Sequence, residues 1–344
     1  MHLVKIILIC FIIMANAFQL NAVANKKENS SKAINEYILL PIMTIGDDSS
    51  KAALFRPGSI CVDLSGNIFV LDSGNRRVVK FSPQGNFLQE FGRIGQGPGE
   101  FQEPWAMDLD LNKGLLYISD IISRRVEIYN IFGKHVKSIK VAFLHPSSPY
   151  LCVDNYGNII MNRFTEKGFI ALFSSNFEPI ISFGEFSNEK KSMLNYSILA
   201  DVSPNDELWV AYRFRPVLQK YNKNHQLIFS KEIINKDYNQ FIKKQQSGQP
   251  TFKTSNGMRG SFIFCSSIVA DDSGGCFIAI MDKVCHFNSK GEQTETFCLK
   301  ENRWAKDNIL ADGMWIDNSN YLYVVNRMFS MKVYKFSLNK IKNK

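Results

Sequence analysis

Short alternating segments that end in an aromatic residue recur along the whole chain. In each copy the first and fourth residues are apolar, and the terminal aromatic residues are 48, 44, 48, 66 and 49 positions apart. These terminal residues are Phe81, Tyr129, Phe173, Tyr221, Phe287 and Phe336. Alternation of apolar and polar positions predicts β-strands, and a fixed spacing predicts a repeated unit.

Three further β segments accompany these copies. A polar turn, as at residues 64–67, comes before an apolar strand such as 68–70, and another short apolar segment precedes that turn. After the aromatic residue a fourth strand ends on glycine, as at Gly92 and Gly184. Each unit therefore predicts a four-stranded antiparallel meander, and a period of roughly 45 residues with four strands is typical of a propeller blade.

The two ends of the chain predict how the ring closes. The last unit stops after its third strand at Phe336, whereas residues 40–46 resemble the fourth strand at residues 178–184. We expect this N-terminal segment to complete the last blade, because an open ring would leave an unpaired strand edge. The predicted fold class is all-β: a six-bladed β-propeller of four-stranded antiparallel blades, closed by the N-terminal strand.

The propeller is predicted to span residues 36–338 as a single domain. Residues 1–24 combine a short basic start, an apolar run at 6–14 and small residues at 22–24, which is typical of a signal peptide cleaved after Ala17 or Ala24. Residues 25–35 read as a polar leader, 235–260 as an inserted loop or lid, and 339–344 as a basic tail. We expect a secreted or periplasmic protein, most simply a monomer, with no transmembrane segment once the signal is removed.

Composition adds a preference for anionic partners. Hydrophobic residues make up 45% and charged residues 21%, which excludes a disordered chain. The net charge is +9, from 41 Lys and Arg against 32 Asp and Glu. Four cysteines lie close together and are either buried thiols or disulfide partners: Cys265, Cys276, Cys285 and Cys298.

A glycine-rich linker and its flanking strands resemble a known repeat. Residues 91–101 read Phe-Gly-Arg-Ile-Gly-Gln-Gly-Pro-Gly-Glu-Phe, followed by Pro104, the strand of Asp108, Asp120 and Arg125. This segment resembles the NHL-repeat signature of six-bladed β-propellers, of which exported bacterial proteins form one type. The match is good in the first two blades and degenerate in the other four. Because NHL-like propellers include sensors, RNA binders, carbohydrate-associated proteins and a few enzymes, the resemblance implies the fold and leaves the function open.

Arginine recurs in the predicted loops between second and third strands, which share one face of a propeller with the inter-blade connections. Guanidinium groups around a shallow funnel suit carboxylate, sulfate or phosphate ligands. Arg77 and Arg125 occupy the arginine position of the repeat itself. Their alternative role is structural, in which they brace the blade through Asp72 or Asp120. Trp105 and Trp304 lie in inter-blade connections, where they would stack on a ligand ring or wedge between blades. The predicted ligand-binding residues are Arg76, Arg124, Arg163, Arg213, Arg215, Arg327, Trp105 and Trp304.

Three functions follow from these features. The leading hypothesis is a non-enzymatic exported propeller, without a cofactor, that recognises an anionic glycan, peptide or envelope protein; the signal peptide disfavours nucleic acid. A purely protein-interacting scaffold is the second. The third rests on residues 312–317, Asp-Gly-Met-Trp-Ile-Asp, which resemble the metal-binding segment of gluconolactonase-like calcium-dependent lactonases. That resemblance implies Asp312 as a calcium ligand at a catalytic centre for lactone or ester hydrolysis, although the family's Glu-Gly-Pro start is missing.

Overall fold

The computed structural model describes residues 34–46, 52–141, 150–185, 196–233, 252–253, 259–260, 263–327 and 330–339. Residues 36–344 make up one compact unit and residues 1–35 another, of which only residues 34 and 35 are described. The predicted signal peptide and most of the insertion and basic tail lie outside the described residues. Within the described part, no helix is long and apolar enough to cross a membrane.

Six antiparallel sheets follow one another along the chain, as the repeat predicts. Blade 1 contains β3 (Ser59–Val62), β4 (Ile68–Asp72), β5 (Arg77–Phe81) and β6 (Phe87–Phe91). Blade 2 contains β7 (Pro104–Asp110), β8 (Leu115–Asp120), β9 (Arg125–Asn130) and β10 (His135–Lys140). Blade 3 contains β11 (Leu151–Val153), β12 (Ile159–Thr165), β13 (Gly168–Phe173) and β14 (Pro179–Phe183).

The second half of the ring repeats this order. Blade 4 contains β15 (Ile198–Val202), β16 (Leu208–Tyr212), β17 (Val217–Tyr221) and β18 (Leu227–Glu232). Blade 5 contains β21 (Cys265–Ala270), β22 (Cys276–Ile280), β23 (Lys283–Phe287) and β24 (Gln293–Leu299). Blade 6 contains β25 (Gly313–Ile316), β26 (Tyr321–Asn326) and β27 (Lys332–Ser337). A two-stranded ladder of β19 (Phe252–Lys253) and β20 (Arg259–Gly260) lies in the insertion.

An N-terminal strand closes the ring, as the chain ends predict. β2 (Met43–Ile45) pairs antiparallel with β27, with Met43 opposite Lys335 and Ile45 opposite Val333. The fourth strand of blade 6 therefore comes from the start of the chain. The predicted six-bladed propeller and its closure are confirmed.

A fifth strand on blade 5 is not predicted by the repeat. β1 (Asn35–Leu39) lies beside β24. Leu39 accepts a hydrogen bond through its carbonyl from the N–H of Lys300 (3.0 Å), and the ring of Tyr37 stacks on Phe297 with centroids 5.7 Å apart. Blade 5 is thus five-stranded rather than four-stranded, because this segment covers the edge that a fourth strand normally leaves open.

Buried lysines at one position of the repeat bridge neighbouring blades. Lys80 of β5 donates a hydrogen bond from Nζ to the carbonyl of Ile131 in blade 2 (2.9 Å). Lys220 of β17 donates to the carbonyls of Gly274 and Ser289 in blade 5, both at 3.2 Å. A buried ammonium group is tolerated only when such acceptors surround it. These lysines therefore link blade 1 to blade 2 and blade 4 to blade 5.

The cysteines of the described chain are all buried, free thiols rather than disulfide partners: Cys61, Cys152, Cys265, Cys276, Cys285 and Cys298. Burial raises the pKa of the Cys285 thiol to about 12. Such thiols are inert and serve as small apolar core residues.

Candidate functional site

The first strands of the six blades line a central channel. A narrow cavity of about 80 Å³ lies inside it, and a wider cavity of about 470 Å³ opens at one end, beside the turns that join first and second strands. We call that end the lower mouth. The opposite end, where the inter-blade connections and the loops between second and third strands lie, is the upper mouth.

Two of the predicted arginines reach the upper mouth from different blades. Arg327 follows β26, and its guanidinium carbon lies 4.4 Å from the centre of the Trp105 ring. Trp105 lies in β7, the first strand of blade 2, and not in an inter-blade connection as predicted. Arg213 follows β16 and lies 4.9 Å from the centre of the Tyr150 ring. Tyr150 itself lines the narrow cavity. Each guanidinium therefore lies over an aromatic ring close to the channel entrance, and Arg213 is only 7% exposed there.

Positive charge at this mouth is concentrated further by Arg56. Burial lowers the pKa of Arg327, and the neighbouring Arg56 guanidinium adds to that effect. Asp312 and Glu103 oppose it. Arg56 and Tyr150 lie in inter-blade connections, and they were not among the predicted site residues because arginines were sought only in the loops between second and third strands and no tyrosine was considered.

The other predicted arginines make different contacts. Arg76 donates from Nε to the carbonyl of Gln102 (2.6 Å), which fastens it to the linker before β7. Arg163 lies within β12 and not in the loop that was predicted for it. It lies over the ring of Phe173, and Arg215 lies over that of Tyr212, each within its own blade. Arg124 is exposed in its turn, and Trp304 is 90% exposed in the connection between blades 5 and 6.

The two arginines of the repeat differ in their bracing roles. Arg77 donates from Nε to Asp72 (2.8 Å), as the bracing interpretation predicts. Arg125 does not pair with Asp120 in this way: it donates to the carbonyl of Gln96 (2.9 Å) and lies 3.3 Å from Glu127. The Asp120 carboxylate instead accepts main-chain hydrogen bonds from the linker, and this leaves Arg125 to clamp the glycine-rich segment.

Asp312 lines the narrow cavity, as expected for a channel residue. Its Oδ2 atom accepts a hydrogen bond from the main-chain N–H of Arg327 (2.7 Å), and burial raises the pKa of its carboxyl. Calcium binding requires several oxygen ligands around an ionised carboxylate. No group of three or more His, Cys, Asp or Glu residues suited to a metal is found within the described ranges. The described residues therefore fit Asp312 as the support of the Arg327 loop and do not form a calcium site.

A pair of carboxyl groups lies deeper, between the two cavities. Asp108 accepts a hydrogen bond through Oδ2 from the N–H of Val153, and Asp201 accepts one in the same way from Ala270, each at 2.7 Å and each from the next blade. Both line both cavities. Burial, with a contribution from Asp201, raises the pKa of Asp108 to about 8, and burial raises the pKa of Asp201 to about 6. Sequence reading missed Asp201 because its position in the repeat is occupied by a different residue type in most blades.

The channel is therefore polarised along its axis. Guanidinium groups surround the upper mouth, whereas the lower mouth carries additional carboxyl groups: Asp110, Asp154 and Asp272. An anionic ligand is attracted to the first end and repelled from the second.

Comparison with known proteins supports the architecture. Residues 49–196 match the model of the DUF5128 family, described as a 6-bladed beta-propeller. The chain is a six-bladed β-propeller. It is 28% identical over 108 residues to Protein brain tumor of Drosophila melanogaster, which covers 31% of this chain and 10% of that protein. It is 25% identical over 205 residues to the peptidyl-glycine alpha-amidating monooxygenase of Mus musculus, which covers 56% of this chain and 18% of that protein. The chain thus matches less than a fifth of the length of these curated relatives.

Solved structures resemble the propeller at low sequence identity. A streptogramin B lyase aligns with a TM-score of 0.51 at 9% identity, covering 81% of this chain and 78% of that one. A protein of Bacteroides fragilis described as exported aligns at 0.50 with 14% identity, covering 90% and 82%. A luciferin-regenerating enzyme aligns at 0.52 with 9% identity, covering 82% and 91%. These likenesses establish the fold alone, and the NHL repeat remains a resemblance of the first two blades.

The raised pKa of Asp108 predicts a pH-dependent stability. In the unfolded chain an aspartate loses its proton near pH 3.9, whereas the folded chain keeps it up to about pH 8, so the folded state binds more protons across that window. The free energy of unfolding should therefore fall as pH rises from 5 to 8, by about 2 kcal/mol after allowance for solvent screening. Asp108→Asn keeps an acceptor for Val153 and should flatten this dependence in urea unfolding. Asp272→Asn, an exposed change at the lower mouth, is the control, and an unchanged slope in Asp108→Asn would contradict the assignment.

Proposed function

We propose that this protein is an exported propeller that binds an acidic oligosaccharide at its upper mouth and does so without catalysis. The observation that carries the proposal is the convergence of Arg213 and Arg327, each stacked on an aromatic ring, at the entrance of the channel. The sequence supports the same preference through its net charge of +9.

Stacking on an aromatic ring determines which part of each guanidinium group can contact a ligand. An aromatic ring covers the flat face of a guanidinium, and the N–H groups project from its edge. Carboxylate and sulfate groups bind at such an edge through two parallel hydrogen bonds. Because stacking fixes the orientation of Arg213 and Arg327 in advance, less conformational entropy is lost when an anion binds.

Charge balance also favours an anion. Burial lowers the pKa of Arg327, and repulsion by the nearby Arg56 guanidinium adds to that shift. A ligand carboxylate between them relieves this repulsion. Of the two carboxyl groups that act on Arg327, that of Asp312 is already engaged with the main chain of Arg327.

The size of the channel limits how a ligand is held. The cavity beneath Tyr150 is only about 80 Å³, too narrow for a sugar chain to pass through. We therefore infer that the ligand rests across the upper mouth, with sugar rings against Tyr150 and Trp105 and acidic groups toward the arginines.

Export forms part of the proposal and rests on residues 1–24 alone. Expression of the full chain in a bacterial host should yield an extracytoplasmic protein whose intact mass begins at Phe18 or Asn25. A cytoplasmic protein that retains Met1 would contradict export without bearing on ligand binding.

Lysine substitutions test the arginines while keeping their charge. Arg213→Lys and Arg327→Lys should each weaken binding of a tetragalacturonate by about 10-fold or more in isothermal titration calorimetry, because lysine cannot form the paired contacts of a guanidinium edge. Arg124→Lys, an exposed arginine in an equivalent turn of blade 2, is the matched control and should change the affinity less than twofold.

The ligand provides a second comparison. The fully methyl-esterified tetrasaccharide, which lacks the carboxylates, should bind at least about 10-fold more weakly than the acid. Equal affinity of the two sugars, or unchanged affinity in both folded lysine variants, would overturn the proposal. Tighter binding of a poly-glutamate peptide than of the sugar would indicate that the site recognises acidic proteins and not acidic oligosaccharides.

A further inference from the structure

One position of the repeat holds a lysine in three blades and a histidine in blade 5, where it lies beside a cleft between two blades. The position directly before the terminal aromatic residue holds Lys80 in blade 1 and Lys220 in blade 4, and each donates into the following blade. In blade 5 the same position holds His286, directly before Phe287.

A cavity of about 210 Å³ lies in the cleft between blades 5 and 6, beside His286. Two of its lining residues, Asn320 and Leu338, occupy in blade 6 the places that Gly274 and Ser289 occupy in blade 5. In blade 5, the main-chain carbonyls of Gly274 and Ser289 accept the hydrogen bonds from the ammonium group of Lys220. The cavity between blades 5 and 6 therefore corresponds to the space that the ammonium group of Lys220 fills between blades 4 and 5.

The histidine does not replace that lysine, because both of its ring nitrogens bond within blade 5. Nε2 lies 2.7 Å from Oδ2 of Asp271, and Nδ1 lies 2.7 Å from Oγ1 of Thr294. The ring is also shorter than a lysine side chain. It stays on its own side of the cleft, and the space beyond it remains open.

The walls of this cavity suit a cation. Asp271, Asp272 and Glu295 supply carboxyl groups, and the buried rings of Phe277 and Phe297 supply aromatic surface. Carboxylates, main-chain carbonyls and aromatic faces are the groups that bind an ammonium ion. We propose that this cavity binds a small primary amine whose ammonium group takes the place of the lysine ammonium in blades 1 and 4.

A second cleft provides an internal control. Blade 3 has Leu172 at the same position, and the cavity beside it, between blades 3 and 4, is about 100 Å³. Its lining includes Lys223, in the place that Leu338 has in blade 6. The lining of this smaller cleft combines Asp154 and Asp206 with the exposed Lys223, so part of its carboxylate charge is offset. The two clefts thus differ both in volume and in the net charge of their lining residues.

The size of the cavity limits the ligand. One water molecule occupies roughly 30 Å³ of liquid, so a space of about 210 Å³ accommodates a short alkyl amine rather than a peptide or a sugar chain. Butylamine at neutral pH is a suitable probe, and butanol is its neutral counterpart of similar size. The proposal is independent of the upper mouth, because no residue of the cavity lies there.

The test is a titration of the full-length protein with butylamine, followed by calorimetry and by two-dimensional NMR. Wild-type protein should bind butylamine saturably and at least about 10-fold more tightly than butanol. His286→Lys should fill the cleft with the chain's own ammonium group, abolish saturable binding and raise the melting temperature. Leu172→Lys, the equivalent change in blade 3, should leave the butylamine affinity unchanged.

Glu295→Gln provides a milder variant should His286→Lys not fold. It removes a partly exposed carboxylate, and it should weaken butylamine several-fold and leave butanol unchanged. Absence of saturable butylamine binding to the wild type, equal affinity for butanol, or wild-type affinity in a folded His286→Lys protein would each overturn the proposal.

Discussion

Each blade has two apolar faces that only its neighbours can cover, and the rest of the structure depends on this constraint. The buried hydrophobic residues fall into six clusters, one at each interface between adjacent blades. A blade at an open end would expose one whole cluster to water, at a cost of roughly 25 cal/mol for each Å² of apolar surface. The ring must therefore close, and β2 closes it by pairing with β27.

Closure also determines where polar groups can lie. First strands from all blades meet at the centre, so their side chains face one another across a narrow channel whatever their chemistry. Asp108 and Asp201 are tolerated there because each accepts a main-chain hydrogen bond from the next blade. Farther out, Lys80 has the same role with the charge reversed between blades 1 and 2, and Lys220 has it between blades 4 and 5. Where His286 replaces the lysine, the interface stays incomplete and leaves a cavity.

The repeat made most of the fold predictable from sequence. Six aromatic-terminated strands fixed the number of blades, and residues 40–46 fixed the closure, because both patterns are local and repeated. Bracing of Asp72 by Arg77 was predictable for the same reason, since the two residues are paired across adjacent strands. β1 was not, because nothing in the other blades corresponds to a fifth strand.

The candidate site was predictable only in part. Loop positions led to the expectation that Arg213 and Arg327 lie on one face, but they did not indicate that Arg163 and Arg215 lie over rings of their own blades. Contacts such as Arg327 on Trp105 join blades that are distant in sequence, and they depend on the lengths and paths of irregular connections. Arg56 and Tyr150 lie in those connections, where no periodicity indicates which way a side chain points.

The central claim is that arginines at the upper mouth hold an acidic ligand, and a crystal structure of the protein with tetragalacturonate tests it most directly. The account predicts a sugar ring against Tyr150, with a carboxylate within hydrogen-bonding distance of both Arg213 and Arg327. A ligand bound at the lower mouth beside Asp108 and Asp201, or along an outer strand, would contradict it.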